Sequence, residues 1–242
     1  GAKTAVIHIA NNVLGSRNPY DITLTGAGTV PDINVEQPAL STVADGGTKS
    51  FGNVLVGSNS SLTFTIRNPG GANLTDLSIF LDGPNAADFN ITANPISPVS
   101  PAGTTTFTVQ FSPTSTGAKT AAIQIANNLT GSKNPYDINL TGVGTAPDIN
   151  VEQPALTTVA DGETKAFGNV LVGTNTSLTF TIRNPGSANL SSLGITIDGA
   201  NAADFTITVN PTSSVSPSGT TTFTVQFAPS GPGSRTAAIH IA

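Results

Sequence analysis

The side chains that could do acid–base or metal chemistry here are two histidines and a recurring set of carboxylates. His8 and His240 occupy equivalent places of an internal repeat whose third copy carries Gln124. Each stands between isoleucines in an alternating run, which predicts an outward position on a strand. With no second histidine near either, neither a zinc set nor a Ser-His-Asp triad can be built within one unit. The aspartates Asp32, Asp45, Asp82, Asp88 and Asp137 recur, with matches at Asp148, Asp161, Asp198 and Asp204, and Asp21 matches Asp137. Asp45-Gly46 and Asp82-Gly83 are predicted turn dipeptides. Calcium held through Asp32 or Asp148 is the rival reading, without a D-x-[DN]-x-[DN]-G loop to support it.

Other chemistries fare no better. Paired glycosidase carboxylates lack an aromatic sugar platform, since there is no Trp and only Tyr20 and Tyr136. No helix follows Gly26-Ala27-Gly28 or Gly142-Val143-Gly144, so both are expected to be inter-unit turns and not phosphate cradles. A lysine isopeptide cross-link is disfavoured because Lys119 becomes Arg235 in the second copy, and Lys49 and Lys165 are expected in an exposed polar turn. The N-x-[ST] sequons follow from a chain rich in Asn, Thr and Ser, and the outward Thr rows follow from β-propensity. No catalytic, cofactor or metal residue is assigned, and the chain is not expected to be an enzyme.

Composition narrows the class. The chain has 242 residues, no Cys, 10% charged residues and a formal net charge of −5. Stability must therefore come from packing and backbone ladders, without disulfides. Nine basic residues spread singly do not make a nucleic-acid surface. No apolar run reaches the ~20 residues that span a bilayer, so no membrane insertion is expected in this segment. The absence of Met predicts a mature or excised segment, and no signal peptide is read. A surface made soluble by hydroxyls and amides has little like-charge repulsion against lateral association.

The elements that would position any site come from a repeat of 116 residues. PDINVEQPAL starts at Pro31 and again at Pro147, and SLTFTIRNPG at Ser61 and again at Ser177. Residues 1–126 laid over 117–242 give 94 identities without an insertion or deletion. A period this long means tandem domains. Within each, runs such as Leu62-Thr63-Phe64-Thr65-Ile66-Arg67 alternate strictly, which predicts half-buried antiparallel strands. The expected strands of one unit are 32–36, 51–57, 61–68, 73–82, 88–93, 103–112, 118–126 and 134–142. One short helical turn is expected around Asn85-Ala86-Ala87-Asp88. This pattern predicts an all-β chain of tandem immunoglobulin-like sandwiches. The expected core is Leu62, Phe64, Ile66, Phe107, Val109 and Phe111, with counterparts Leu178, Phe180, Ile182, Phe223, Val225 and Phe227. A link of about four residues ending in Pro favours units held stiffly in line, on the order of 80 Å for two.

The chain ends fall out of register with the units. Residues 1–27 match 117–143 and so read as the last two strands of a preceding repeat, or as a donated arm. Residues 31–143 read as a complete sandwich, and residues 147–242 as a sandwich lacking its last strand. The missing piece resembles Asn18, Pro19, Tyr20, Asp21, Ile22, Thr23, Leu24, Thr25 and Gly26, the candidate assembly strand. An unfinished sheet exposes a row of unpaired amides and carbonyls that a neighbour can meet. A window cut from a longer array, completed by its neighbouring repeats, and separate subunits lending the arm both fit.

The phrases PDINVEQPA, FGNVLVGSNSSLTFTIRNPG, NAADFNITANP, TTTFTVQFSPTSTGAKTAAIQIANN and NPYDINLTGVG resemble the bacterial choice-of-anchor D repeat, related to the hydin-type immunoglobulin-like domains. That resemblance implies an immunoglobulin-like sandwich in large secreted or surface-anchored bacterial proteins, with no catalytic residues to transfer. The expected function is a structural repeat segment of an extracellular or cell-surface filament, stalk or surface protein. Its expected partners are copies of itself or adjacent repeats of the same polypeptide. An adhesin using loops 82–88 and 94–103 at the sandwich end is the alternative.

Overall fold

A computed structural model describes residues 1–242. The strands are β1 (Ala2–Ile9), β2 (Tyr20–Ala27), β3 (Asn34–Glu36), β4 (Thr42–Val43), β5 (Gly47–Leu55), β6 (Ser60–Arg67), β7 (Ser78–Asp82), β8 (Phe89–Ala93), β9 (Thr104–Phe111) and β10 (Gly117–Ala126). They continue as β11 (Tyr136–Thr145), β12 (Asn150–Glu152), β13 (Thr158–Val159), β14 (Thr176–Arg183), β15 (Leu190–Ser191), β16 (Ile195–Asp198), β17 (Phe205–Val209), β18 (Ser214–Val215), β19 (Thr220–Phe227) and β20 (Ala238–Ile241). The expected helical turn is present as a 3-10 turn at Ala86–Asp88 and again at Ala202–Asp204. The chain divides into two units, one formed mainly by residues 1–143 and the other mainly by 144–242.

In the first unit one sheet has the order β4-β3-β6-β9-β8 and the other β5-β11-β10-β7. Alternation sends Phe64 and Phe107 to one face as direct cross-strand partners, and their rings stack at 4.9 Å. The expected residues Phe64, Ile66, Phe107, Val109 and Phe111 are fully buried, and Leu62 packs on them from a half-buried position. From the opposite sheet Ile123, Ile125, Ile138 and Leu140 complete the core. The second unit repeats the first of these sheets as β13-β12-β14-β19-β17, with Phe180 and Phe223 stacked at 4.9 Å. Its opposite face holds only β16 paired with β20.

Three expectations need correction. Gly142-Val143-Gly144 is not a turn, because β11 runs on through Thr145, and the matching β2 runs to Ala27. Glycine is required there because a Cβ on Gly142 would lie 2.5 Å from the ring of Phe111. The expected strand 73–82 starts only at Ser78. Asp76 upstream takes φ 59, which breaks an extended run, and Leu74 makes an isolated bridge to Val99. Finally, β5 covers Gly47–Leu55 where 51–57 was expected, because pairing with β11 draws in the hydroxyl-rich residues that alternation does not mark.

Candidate assembly groove and the exposed hairpin

Of the aspartates expected in turns, Asp45 sits in one and Asp82 closes β7 just before the bend at Gly83. Asp82 accepts the Gly83 amide at 2.7 Å, and Asp45 accepts the Asp137 amide at 2.8 Å next to Gly46, whose φ is +74. Asp32 accepts Lys133 Nζ at 2.7 Å, and that hydrogen bond holds its carboxyl below the ordinary value. Of the two carboxylates suggested for calcium, Asp32 is thus met by an ammonium, while Asp148 accepts the Ile149 amide at 2.8 Å. Asp88 and Asp204 are buried and not turn-exposed, paired with Lys119 at 3.5 Å and Arg235 at 3.3 Å. His240 points outward as expected, its Nε2 3.1 Å from Asp198, and His8 meets Asp21 at 2.6 Å.

Sequence reasoning passed over two structural pairs. Glu36 accepts Arg67 Nε at 3.0 Å and the Leu40 amide at 2.8 Å, while Glu152 accepts Arg183 at 2.9 Å and the Leu156 amide at 2.8 Å. The arginine hydrogen bond is the main reason both carboxyls titrate below the ordinary glutamate range. The signal was present in the repeat itself, since Glu of NVEQP and Arg of TIRNPG recur together.

A groove of about 1610 Å³ lies within the second unit, and its lining includes Phe167, Phe180, Phe223, Phe227, Ile239 and Ile241. On one side runs β20. On the other runs the segment 163–171, which forms no strand. The counterparts of these walls in the first unit are β10 and β5, and between them lies β11. The groove is therefore the place that β11 fills in the first unit. Its effect on the core is plain: Phe51, Ile123 and Ile125 are buried, whereas their counterparts Phe167, Ile239 and Ile241 are only partly so.

The first unit also shows what such a strand does. Tyr136, Ile138 and Leu140 of β11 bury completely, and the Tyr136 hydroxyl donates to the Val43 carbonyl at 2.5 Å. That burial pushes the phenol above its ordinary range. The Gly46 amide donates to the Asp137 carbonyl at 2.8 Å, and Asn139 donates to the Gly46 carbonyl at 2.8 Å.

A near-copy of this strand's sequence forms β2. β1 and β2 pair only with each other, from Ala2 opposite Ala27 to Ile9 opposite Tyr20. Tyr20, Ile22 and Leu24 are 52%, 40% and 46% exposed, where Tyr136, Ile138 and Leu140 are 3%, 0% and 0%. Two strands without a second layer are marginal in water. Each of these side chains would contribute about 1.5–3 kcal/mol on full burial. All nine residues proposed from sequence, Asn18 to Gly26, fall in this hairpin, all of them exposed on the strand or the turn before it and none in the groove.

Two sandwiches built on shared sheet geometry define a structural or protein-interaction module. The chain belongs to the ASH family, described as abnormal spindle-like microcephaly-associated, ASPM-SPD-2-Hydin, whose model matches residues 39–134 and 156–242. This is a non-catalytic domain family. No curated protein matches. Among solved structures the chain is similar to a protein of unknown function from Porphyromonas gingivalis W83, at 12% identity over 82% of this chain and 83% of that one, TM-score 0.27. It is also similar to PapD-like domain 7 of human CEP192, at 12% identity over 46% of this chain and 84% of that one, TM-score 0.29. A third is the secreted serine protease VesC of Vibrio cholerae, at 13% identity over 80% and 49%, TM-score 0.33.

Proposed function

We propose that this chain is a structural repeat segment of an extracellular bacterial filament, stalk or surface protein, whose units space and assemble through their sheet edges. One observation carries the reading. The second unit holds a groove lined by Phe167, Phe180, Phe223 and Phe227 where the first unit holds β11, and a near-copy of β11 lies solvent-exposed as β2. An open edge beside a groove of this kind is a template for strand addition. The low charge and hydroxyl-rich surface favour close lateral contact, and the resemblance to secreted and surface-anchored bacterial repeats supports the extracellular setting.

Light scattering of the purified 242-residue chain over a wide concentration range, with electron microscopy of the same samples, tests this. Mass rising with concentration and linear particles are expected. A strictly monomeric chain up to millimolar concentration removes the assembly role.

A further inference from the structure

We propose that Asp82-Gly83, at the end of β7, is a site of spontaneous backbone isomerisation, where the Gly83 nitrogen closes on the Asp82 carboxyl and leaves an isoaspartate. The inference stands apart from the assembly reading.

The two reacting groups are already together. Asp82 and Gly83 are both exposed, and the Gly83 amide donates to Asp82 Oδ1 at 2.7 Å. That contact holds the carboxyl against the nitrogen that follows it in the chain, so little further ordering is needed for attack. Gly83 carries no side chain to obstruct ring closure and takes φ +106. Asp32 makes the same contact with the Ile33 amide at 2.8 Å, but there a fully buried β-branched residue follows and Lys133 engages the carboxylate.

In the reaction the Gly83 nitrogen bonds to Cγ of the protonated Asp82 carboxyl and gives up its proton. The carboxyl hydroxyl leaves with that proton as water, and the product is a succinimide lighter by one water. Water then adds back at either carbonyl of the imide. Breaking the bond from nitrogen to Cγ restores aspartate. Breaking the bond from nitrogen to the main-chain carbonyl carbon leaves the chain running through Cγ, as isoaspartate. No oxidant, reductant or further reactant enters.

Two other Asp-Gly dipeptides are internal controls. Asp45 accepts the Asp137 amide at 2.8 Å, and the Gly46 amide donates to the Asp137 carbonyl at 2.8 Å, so β11 occupies both reacting groups. Asp198-Gly199 shares the backbone of Asp82-Gly83. Gly199 also takes φ +106, and the Asn201 amide donates to the Thr236 carbonyl as Asn85 does to Thr120, each at 3.1 Å. Its carboxyl differs: Oδ1 lies 3.1 Å from His240 Nε2, and the first unit has Gln124 in place of that histidine. The histidine thus draws the Asp198 carboxyl away from Gly199.

The isomer would insert a methylene into the main chain where β7 meets β10. A Cβ on Gly83 would lie 3.1 Å from the Cα of Ala121, and Asn85 Oδ1 accepts the Thr120 amide at 3.0 Å. A longer chain at this tight approach loosens that end of the sheet.

The test incubates the purified 242-residue chain in warm, mildly acidic buffer and samples it over weeks. Samples are cut with a protease that cleaves before aspartate but not before isoaspartate, and the fragments are weighed. A species one water lighter, followed by resistance to cleavage at Asp82, is expected about tenfold faster than at Asp45 or Asp198. In urea the folded contacts are gone, and the three sites should react at similar rates. His240→Gln should raise the Asp198 rate toward that of Asp82, and Asp82→Glu should abolish the product there. Reaction at Asp82 no faster than at Asp45 and Asp198 in the folded chain overturns the proposal. So does a ranking that persists unchanged in urea.

Discussion

At the residue scale each unit is held by a buried asparagine whose side-chain amide is fully hydrogen-bonded. Asn68 is fully buried; its Oδ1 accepts the Asp32 and Gly70 amides at 3.2 and 3.0 Å, and its Nδ2 donates to the Ala72 and Val99 carbonyls at 2.8 and 2.9 Å. Asn184 repeats the arrangement with Asp148, Gly186, Ala188 and Val215. Asn68→Ala leaves buried amides and carbonyls unpaired, so a loss of about 2–4 kcal/mol is expected in urea unfolding of the first unit. Acid should act through the depressed carboxyls. Folded Asp32, Glu36 and Glu152 bind protons less readily than when unfolded, below ordinary values of 3.8 and 4.5. Their stabilisation is complete above those values and is lost as pH falls through the folded ones. Melting temperature should therefore be level above about pH 5 and fall below about pH 4. Replacing both glutamates by glutamine should flatten that fall. The turn aspartates were legible because Asp-Gly is a local signal. The burial of Asp88 and Asp204 was not, since it depends on a lysine or arginine about thirty residues away in sequence.

At the element scale identical residues take different structures. FGNVLVG occurs at Phe51 and at Phe167, yet it lies in or borders a strand in the first unit and forms none in the second. β-propensity measures fit to neighbours more than backbone preference. Here the absent neighbour is the strand equivalent to β11. Alternation in SLTFTIR and TTTFTVQF made the central strands and their core faces readable, because one face of each is buried. β5 was readable only in part, because its first half has no apolar rhythm. Hydrogen exchange should show fast amides over 163–171 and slow ones over the equivalent residues 47–55. Equal protection of the two segments would contradict this. Gly142→Val and Gly26→Val should also diverge. The first lowers the melting temperature of the first unit, and the second leaves it unchanged in the uncomplexed chain.

At the scale of the whole molecule the two units differ in how far their cores are covered more than in sequence. The first surrounds a continuous core from two sheets, while the second buries Phe180, Ile182, Phe223 and Val225 beneath an open face. Calorimetry tests the account most directly. It should resolve two transitions, with the second unit melting first because less of its apolar core is covered. One coincident transition would contradict the account.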